Sequence, residues 1–449
     1  MPTLPLLAHD SPDRIVAWCA DGAVTSAQFL SEVGQLLALF PAGRHVLNLC
    51  RDRYRFSVGL AAAIVAEKIS LLPPTQTPEA VCQIRDFAPD VFCLTDSEVR
   101  TADVPQLRYP LMQRGHGNAL AIPKIDRQQC VAVLFTSGST GTPQPHRKHW
   151  GKLIDSVLAG AARLGLPDNT FHTIVGTVPP QHMYGFESTV LLAWQTGNAL
   201  SHTQPFYPAD IGRALADVPA PRVLVSSPIH LRAMLDAGVE LPEIARVLSA
   251  TAPLSIKLAR DIEAICQAPL MEIYGSTETG QMASRYSAHE TEWQLFPGVE
   301  LLVNEDGVRA CGGHVETMVT LNDIIEPTTA AHFLLHGRLA DLVNIAGKRH
   351  SLAGLNRVLN AIPGVLDGAF FMPEVSDPDH VTRLAACVVA PGIAASEVLA
   401  ALRELIDPVF LPRPLLFVDA LPRNNTGKLP RAELQALFRK RDAANSANE

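Results

Sequence analysis

The sequence predicts an α/β protein: a large N-terminal domain of layered α/β subdomains with a β-rich subdomain at its end, followed by a small α+β C-terminal domain. Three observations carry this. Strand-like apolar runs alternate with helical periodicity over the first hundred residues, the pattern of a mainly parallel layered sheet. The apolar run Val131-Ala132-Val133-Leu134-Phe135 stops at a stretch of Gly, Ser and Thr, and an amphipathic segment, Trp150 to Leu164, follows it. From Phe296-Pro297-Gly298-Val299 onward the pattern changes to short strands and turns.

The elements follow in order. Ala27 to Phe40 carries apolar residues at helical spacing, and Val46 to Cys50 reads as a short buried strand. Phe56 to Ala66 is a small-residue apolar run, too short to span a bilayer and suited to a buried helix. A helix near Val81 to Phe87 precedes a strand at Val91 to Leu94. A second pass of strands and helices runs from Thr173 to Ile265. The boundary falls near Arg338, so that residues 1–338 form the first domain, with its β-rich part at 296–336. Residues 341–440 form a unit of normal small-domain size. Its pieces are a helix at Gly354 to Leu359, a strand at Leu384 to Val389, and helices at Ala395 to Leu405 and Arg431 to Phe438. The polar tail, 441–449, is expected to be flexible.

Composition narrows the function. The chain has 449 residues, 47% hydrophobic and 18% charged, enough for a large core and unlike a disordered chain. Lys+Arg 37 against Asp+Glu 45 leaves no basic footprint for nucleic acid. Eight cysteines are scattered without C-x-x-C spacing, which argues against zinc and disulfides and fits a reducing cytoplasm. No basic-then-apolar start is visible before Arg14, so neither a signal peptide nor membrane insertion is expected.

Four stretches carry chemistry. The first is Thr136-Ser137-Gly138-Ser139-Thr140-Gly141-Thr142-Pro143, whose small residues and hydroxyls can wrap phosphate oxygens closely. It lacks the lysine of a P-loop, which disfavours a P-loop kinase. The second is Tyr274-Gly275-Ser276-Thr277-Glu278, the third pairs Asp323 with Arg338, and the fourth is Asn425-Thr426-Gly427-Lys428. In this order they resemble the adenylate-forming superfamily of acyl-CoA synthetases, nonribosomal adenylation domains and luciferases. The resemblance covers the chain from about Val131 to its end.

That resemblance implies a reaction and a set of roles. A carboxylic acid attacks the α-phosphate of ATP, and the acyl group then passes to a thiol. The loop Thr136, Ser137, Gly138, Ser139, Thr140 and Gly141 holds phosphates. Tyr274, with Gly275 and Ser276, lies against adenine, Thr277 touches the α-phosphate, and Glu278 with Thr136 holds Mg²⁺. Asp323 and Arg338 grip the ribose, and Arg349 joins the nucleotide set. Lys428 reaches the α-phosphate and the carboxylate during adenylation. His182, Tyr184 and Gly185, in Pro179 to Glu187, and Ala250 and Thr251, in Ser249-Ala250-Thr251-Ala252-Pro253-Leu254, line the acyl pocket, with Thr251 also at the nucleotide. Gly347 borders the tunnel for the thiol of CoA or of the phosphopantetheine on an acyl carrier protein, and the C-terminal domain is mobile. The acid looks similar to those of stand-alone ligases for aromatic, hydroxybenzoate-type acids.

The chain departs from the family at several points. Gln144 stands where the loop usually has Lys, and the following His146-Arg147-Lys148 can restore that charge. Asn322 replaces a Gly, and Ala340, followed by Asp341, occupies the hinge position. Ala250 and Thr251 replace glycines and narrow the pocket toward a small or flat acid. Two rivals stand beside the ligase: adenylation with a non-thiol acceptor, and an adenylate-binding regulatory or scaffold protein that lost catalysis. Gln144 and Ala340 favour the latter; Glu278, Arg338 and Lys428 argue against it. Lys428→Ala should cut adenylation at least ~10²-fold, the scale of losing one transition-state contact. It should spare thioester formation from preformed acyl-AMP; equal loss in both half-reactions, measured separately, contradicts the role.

Overall fold

The computed structural model describes residues 2–73, 75–98, 104–112, 121–136, 144–166, 170–304, 307–338, 342–345, 348–373, 383–424 and 429–446. The chain divides into two compact units: 1–302 with 309–319, and 303–308 with 320–449. The architecture is mixed α/β, as expected. The second unit takes in the strands Asp323–Pro327 and His332–Arg338, which the sequence reading assigned to the first domain.

In the first unit one sheet has the strand order Gln144–His149, Cys130–Thr136, Ile69–Leu72, His45–Asn48, Phe92–Thr95, Gln106–Arg108. All its pairs are parallel except the first, which is antiparallel. A second sheet carries a parallel run in the order Leu270–Ser276, Arg246–Ser249, Arg222–Ser226, Thr173–Gly176, Ala199–Ser201, Ile15–Cys19. Antiparallel strands flank that run: Gly280–Arg285 on one side and Gly22–Thr25 on the other.

The helices form where local chemistry starts and stops them. Ser26–Leu37 opens with a capping box between Thr25 and Gln28. Trp150–Leu164 has the bounds that its periodicity predicts and ends at Gly165, whose φ of 72° is the left-handed cap conformation. Arg53–Val65 is buried all round because it packs against strands of both sheets. Its first residue, Arg53, is fully buried, and its guanidinium donates to the carbonyls of Gly176 (2.7 Å) and Val178 (3.2 Å) and to the Thr189 hydroxyl (2.8 Å). Removing that fork would strand buried acceptors, each costing about 1–3 kcal/mol.

One local expectation is corrected. The sequence predicts a glycine loop that runs from a strand straight into a helix. The structure instead returns the chain through the strand Gln144–His149, antiparallel to Cys130–Thr136, before the helix starts at Trp150. The helix N-terminus therefore lies a strand away from the loop and does not present its N–H groups there. The strand went unread because its alternation is polar on both faces. It is an edge strand, which also explains how Pro145 is tolerated.

In the second unit the strands Asp367–Phe371, Ala385–Val389 and Leu415–Phe417 form a sheet. Helices Leu352–Ala361 and Ala395–Leu405 cover it, with Leu355, Leu359, Phe370, Val388, Val398 and Leu402 in the core. Ser351 caps the first helix by accepting from the Gly354 N–H at 3.0 Å. The last helix starts at Arg431 as expected but runs to Ser446, past its expected end at Phe438. No helix among the described residues is long and apolar enough to cross a membrane.

Candidate active site

Two hairpins of the first unit meet at the site. One is formed by Cys130–Thr136 and Gln144–His149, with Thr136 and Gln144 opposite each other at its open end. Ser137, Gly138, Ser139, Thr140 and Gly141 lie outside the described residues. The other hairpin joins Leu270–Ser276 to Gly280–Arg285. Thr277 and Glu278 sit at its tip, closed by Thr279 Oγ1 accepting from the Ser276 N–H at 3.0 Å. Gly275 is required by this geometry, because a Cβ there would lie 2.1 Å from the Gly280 carbonyl oxygen.

The hairpins bring Thr136 and Glu278 together through a residue between them. His146 Nε2 lies 3.0 Å from Thr136 Oγ1 and 3.6 Å from Glu278 Oε1. Burial lowers the His146 pKa from its ordinary value, against the opposing pull of Glu278. A hydroxyl and a carboxylate that both approach the same imidazole nitrogen supply oxygen ligands of the kind a hard cation takes when it brings phosphate oxygens as further ligands. Among the described residues no group of three His, Cys, Asp or Glu could hold a metal by itself. Thr136 and Glu278 thus fit Mg²⁺ that arrives with a nucleotide better than a resident ion.

Lys148 does not restore the missing loop cation. It shares the inward face of its strand with His146, is 3% exposed, and its Nζ donates to the main-chain carbonyl of Glu278 at 3.1 Å. Burial lowers its pKa, while Glu187, Glu316 and Glu278 favour the ammonium. Gln144 and Arg147 are exposed.

Tyr274, expected to lie against adenine, has its ring 5.6 Å from that of Trp293, and Arg285 lies over the Trp293 ring at 4.4 Å. Arg285 is fixed by Glu272 (2.9 Å to Nε), which also accepts from Ser287 Oγ at 2.6 Å. Glu272 further accepts from the Leu254 N–H at 3.0 Å, so one buried carboxylate ties the 250–254 loop to the Tyr274 strand. Sequence reasoning missed Glu272, Arg285 and Trp293, because no spacing links residues that meet only across three strands.

At the pocket segment, His182 precedes a short helix, Met183–Gly185, continued as a π-helical turn, Phe186–Leu191. Such turns recur at functional sites. Tyr184 Oη donates to the Ser226 carbonyl at 3.1 Å. Gly185 is forced, since a Cβ would come 2.0 Å from the Pro179 carbonyl oxygen. Ala250 is buried, and Thr251 adopts φ of 82°. A β-branched residue in that region is a genuine outlier, costing about 1–3 kcal/mol.

In the second unit the register pairs Asp323 directly with Arg338, the two residues expected to share a ribose. Arg349 pairs with Asn344 in the hairpin Leu342–Ile345 and Lys348–Ser351. Arg423, five residues before Lys428, makes a two-pronged ion pair with Asp367, both contacts at 2.8 Å. That pair anchors the chain that leads toward Lys428. Gly347, Ala340, Asp341 and Lys428 themselves lie outside the described residues.

Residues 42–309 match the family described as AMP-binding enzyme. The chain is 31% identical over 301 residues to a 4-coumarate–CoA ligase of Rhodobacter capsulatus, covering 66% of this chain and 74% of that one. It is 26% identical over 373 residues to a 4-chlorobenzoate–CoA ligase of Arthrobacter sp, covering 71% and 68%. Its fold superposes on o-succinylbenzoate CoA synthetase from Bacillus subtilis, solved with its acyl-adenylate intermediate, with a TM-score of 0.80, 18% identity and 98% of each chain covered.

The Thr251 backbone generates a test. Thr251→Gly relieves the left-handed strain, so it should hold stability or raise it by about 1 kcal/mol, and should lower KM for bulkier acids. Thermal denaturation showing a loss of 1 kcal/mol or more contradicts this reading.

Proposed function

Because the chain belongs to the AMP-binding enzyme family, we propose that it is an ATP-dependent acid–thiol ligase. It converts a carboxylic acid to acyl-AMP with release of pyrophosphate, then passes the acyl group to the thiol of CoA or of a carrier protein's phosphopantetheine. The observation that carries this is the meeting of Thr136 and Glu278 across two hairpins, beside the Tyr274–Trp293 aromatic pair. That arrangement supports a nucleotide whose phosphates face a carboxylate-bound cation while its base faces the aromatics.

The chemistry explains the need. Two anions must approach, and unit charges at ~4 Å repel by ~1 kcal/mol in water and ~4 kcal/mol at an effective dielectric of ~20. Bound Mg²⁺, held by Glu278 and Thr136, would neutralise phosphate charge. Thr277, at the hairpin tip, offers a hydroxyl to the α-phosphate, and Lys428 supplies the compact cation for the attacking carboxylate. Asp323 and Arg338 hold the ribose, the loop 136–141 wraps the phosphates, and Arg349 completes the nucleotide set. The C-terminal domain, 341–440, then rearranges so that Gly347 lines the thiol path.

The acid is aromatic. The two relatives named above act on coumarate and chlorobenzoate, and Ala250 with Thr251 in place of glycines suits a flat acid between them and His182, Tyr184 and Gly185. The protein works in the cytoplasm. An exposed Gln144 in place of the loop lysine favours a second reading, an adenylate-binding protein without turnover. ATP–pyrophosphate exchange, screened over short, long and aromatic acids and followed by thioester assays with CoA and holo-carrier protein, separates them. Exchange with an aromatic acid and a thioester product is the expected result; nucleotide binding without exchange for any acid contradicts the ligase.

A further inference from the structure

A lysine buried beneath the Glu278 hairpin is not explained by binding substrate. Lys148 lines a small cavity together with Ser156, Met183, Glu187, Gly280, His314 and Glu316. Burying an ammonium costs several kcal/mol, and an apolar residue on an inward strand face is often cheaper. What Lys148 has that an apolar residue lacks is a donor, aimed at the Glu278 carbonyl at 3.1 Å.

The surroundings are built to keep that donor in place. Glu187 is 1% exposed and accepts from Ser156 Oγ at 2.7 Å. Gly280 lets it approach, since a Cβ there would lie 3.1 Å from Glu187 Oε1. Glu316 is held by the His149 N–H at 2.7 Å and by His149 Nδ1 at 2.9 Å. His314 Nε2 donates to the Gln281 carbonyl at 2.6 Å, pinning the same hairpin three residues further on. Two residues of one strand thus address one glutamate: His146 faces its carboxylate and Lys148 its main chain.

We propose that Lys148 is a positioning residue for Glu278: its buried amine, through the bond to the Glu278 carbonyl, fixes the hairpin tip from beneath so that the Glu278 carboxylate faces the metal–phosphate site. It acts through Glu278 and touches neither nucleotide nor acid. The proposal rests on the reading of Glu278 as the Mg²⁺-holding carboxylate.

The test uses the full chain. Burial raises the Glu187 pKa to about 7, with Ser156 and Lys148 pulling it down, so Lys148→Met alone also changes the protonation of Glu187; the informative variants replace both groups: Lys148→Met with Glu187→Gln, and Lys148→Met with Glu187→Met as a second route to a folded protein. Calorimetry of a nonhydrolysable ATP analogue against Mg²⁺ concentration reads binding, and pyrophosphate exchange reads kcat and KM separately. The pairs should melt close to wild type, yet need at least tenfold more Mg²⁺ and show a lowered kcat, with KM for the acid unchanged. In a Glu278→Gln background the same pairs should cost less than threefold further, because coupled residues are non-additive. Equal losses in both backgrounds, or an unchanged Mg²⁺ requirement, overturn the positioning role alone. A wild-type chain that binds no ATP analogue overturns the nucleotide reading and the proposal together.

Discussion

The nucleotide side of this chain depends on the antiparallel pairing of the strand Gln144–His149 against Cys130–Thr136. The register sets Gln144 opposite Thr136, His146 opposite Leu134 and Lys148 opposite Ala132. Because side chains alternate along a strand, a slip of one residue would turn His146 and Lys148 to solvent and drive Arg147 inward. Glu278 would then lose both of its partners on that strand. The apolar partner strand, with Val131 to Phe135 buried, holds the register from the other side.

This pairing also decides where charge goes. The chain carries a net charge of -8, so positive charge at a phosphate site must be concentrated locally. Lys148 is close in sequence to the missing loop lysine, but the fold turns it into the interior, where it orders main chain. The Arg423–Asp367 pair gives the segment before Lys428 a fixed anchor on the second unit's sheet. The Glu272–Arg285 pair plays the corresponding part for Tyr274, joining the aromatic platform to the 250–254 loop.

Much of this was legible before the structure. Helices Trp150–Leu164 and Ala395–Leu405 have the bounds that periodicity predicts, because one strong apolar face sets each of them. Met271-Glu272-Ile273 reads as the end of a strand, and the structure places it in the strand Leu270–Ser276, but the return strand Gly280–Arg285 that makes a hairpin tip of Glu278 was not read. The strand Gln144–His149 was not legible, since a polar edge strand has no apolar alternation to announce it. Lys148 was read, with His146 and Arg147, as a cation able to restore the charge of the missing loop lysine, and its burial among Glu187, Ser156 and His314 was not legible because those residues arrive from distant parts of the chain. Thr251 was legible as a departure from glycine, but its φ of 82° was not, because backbone strain leaves no trace in composition.

The central claim is that a carboxylate oxygen of the acid attacks the α-phosphorus of ATP. Isotope transfer tests it most directly. With an aromatic acid labelled with ¹⁸O in its carboxyl group, Mg²⁺, ATP and a thiol acceptor, the account predicts that one ¹⁸O appears in the phosphate of AMP, seen by its ³¹P shift or by mass spectrometry. Label in inorganic phosphate with ADP as the other product, or AMP without label, would contradict it.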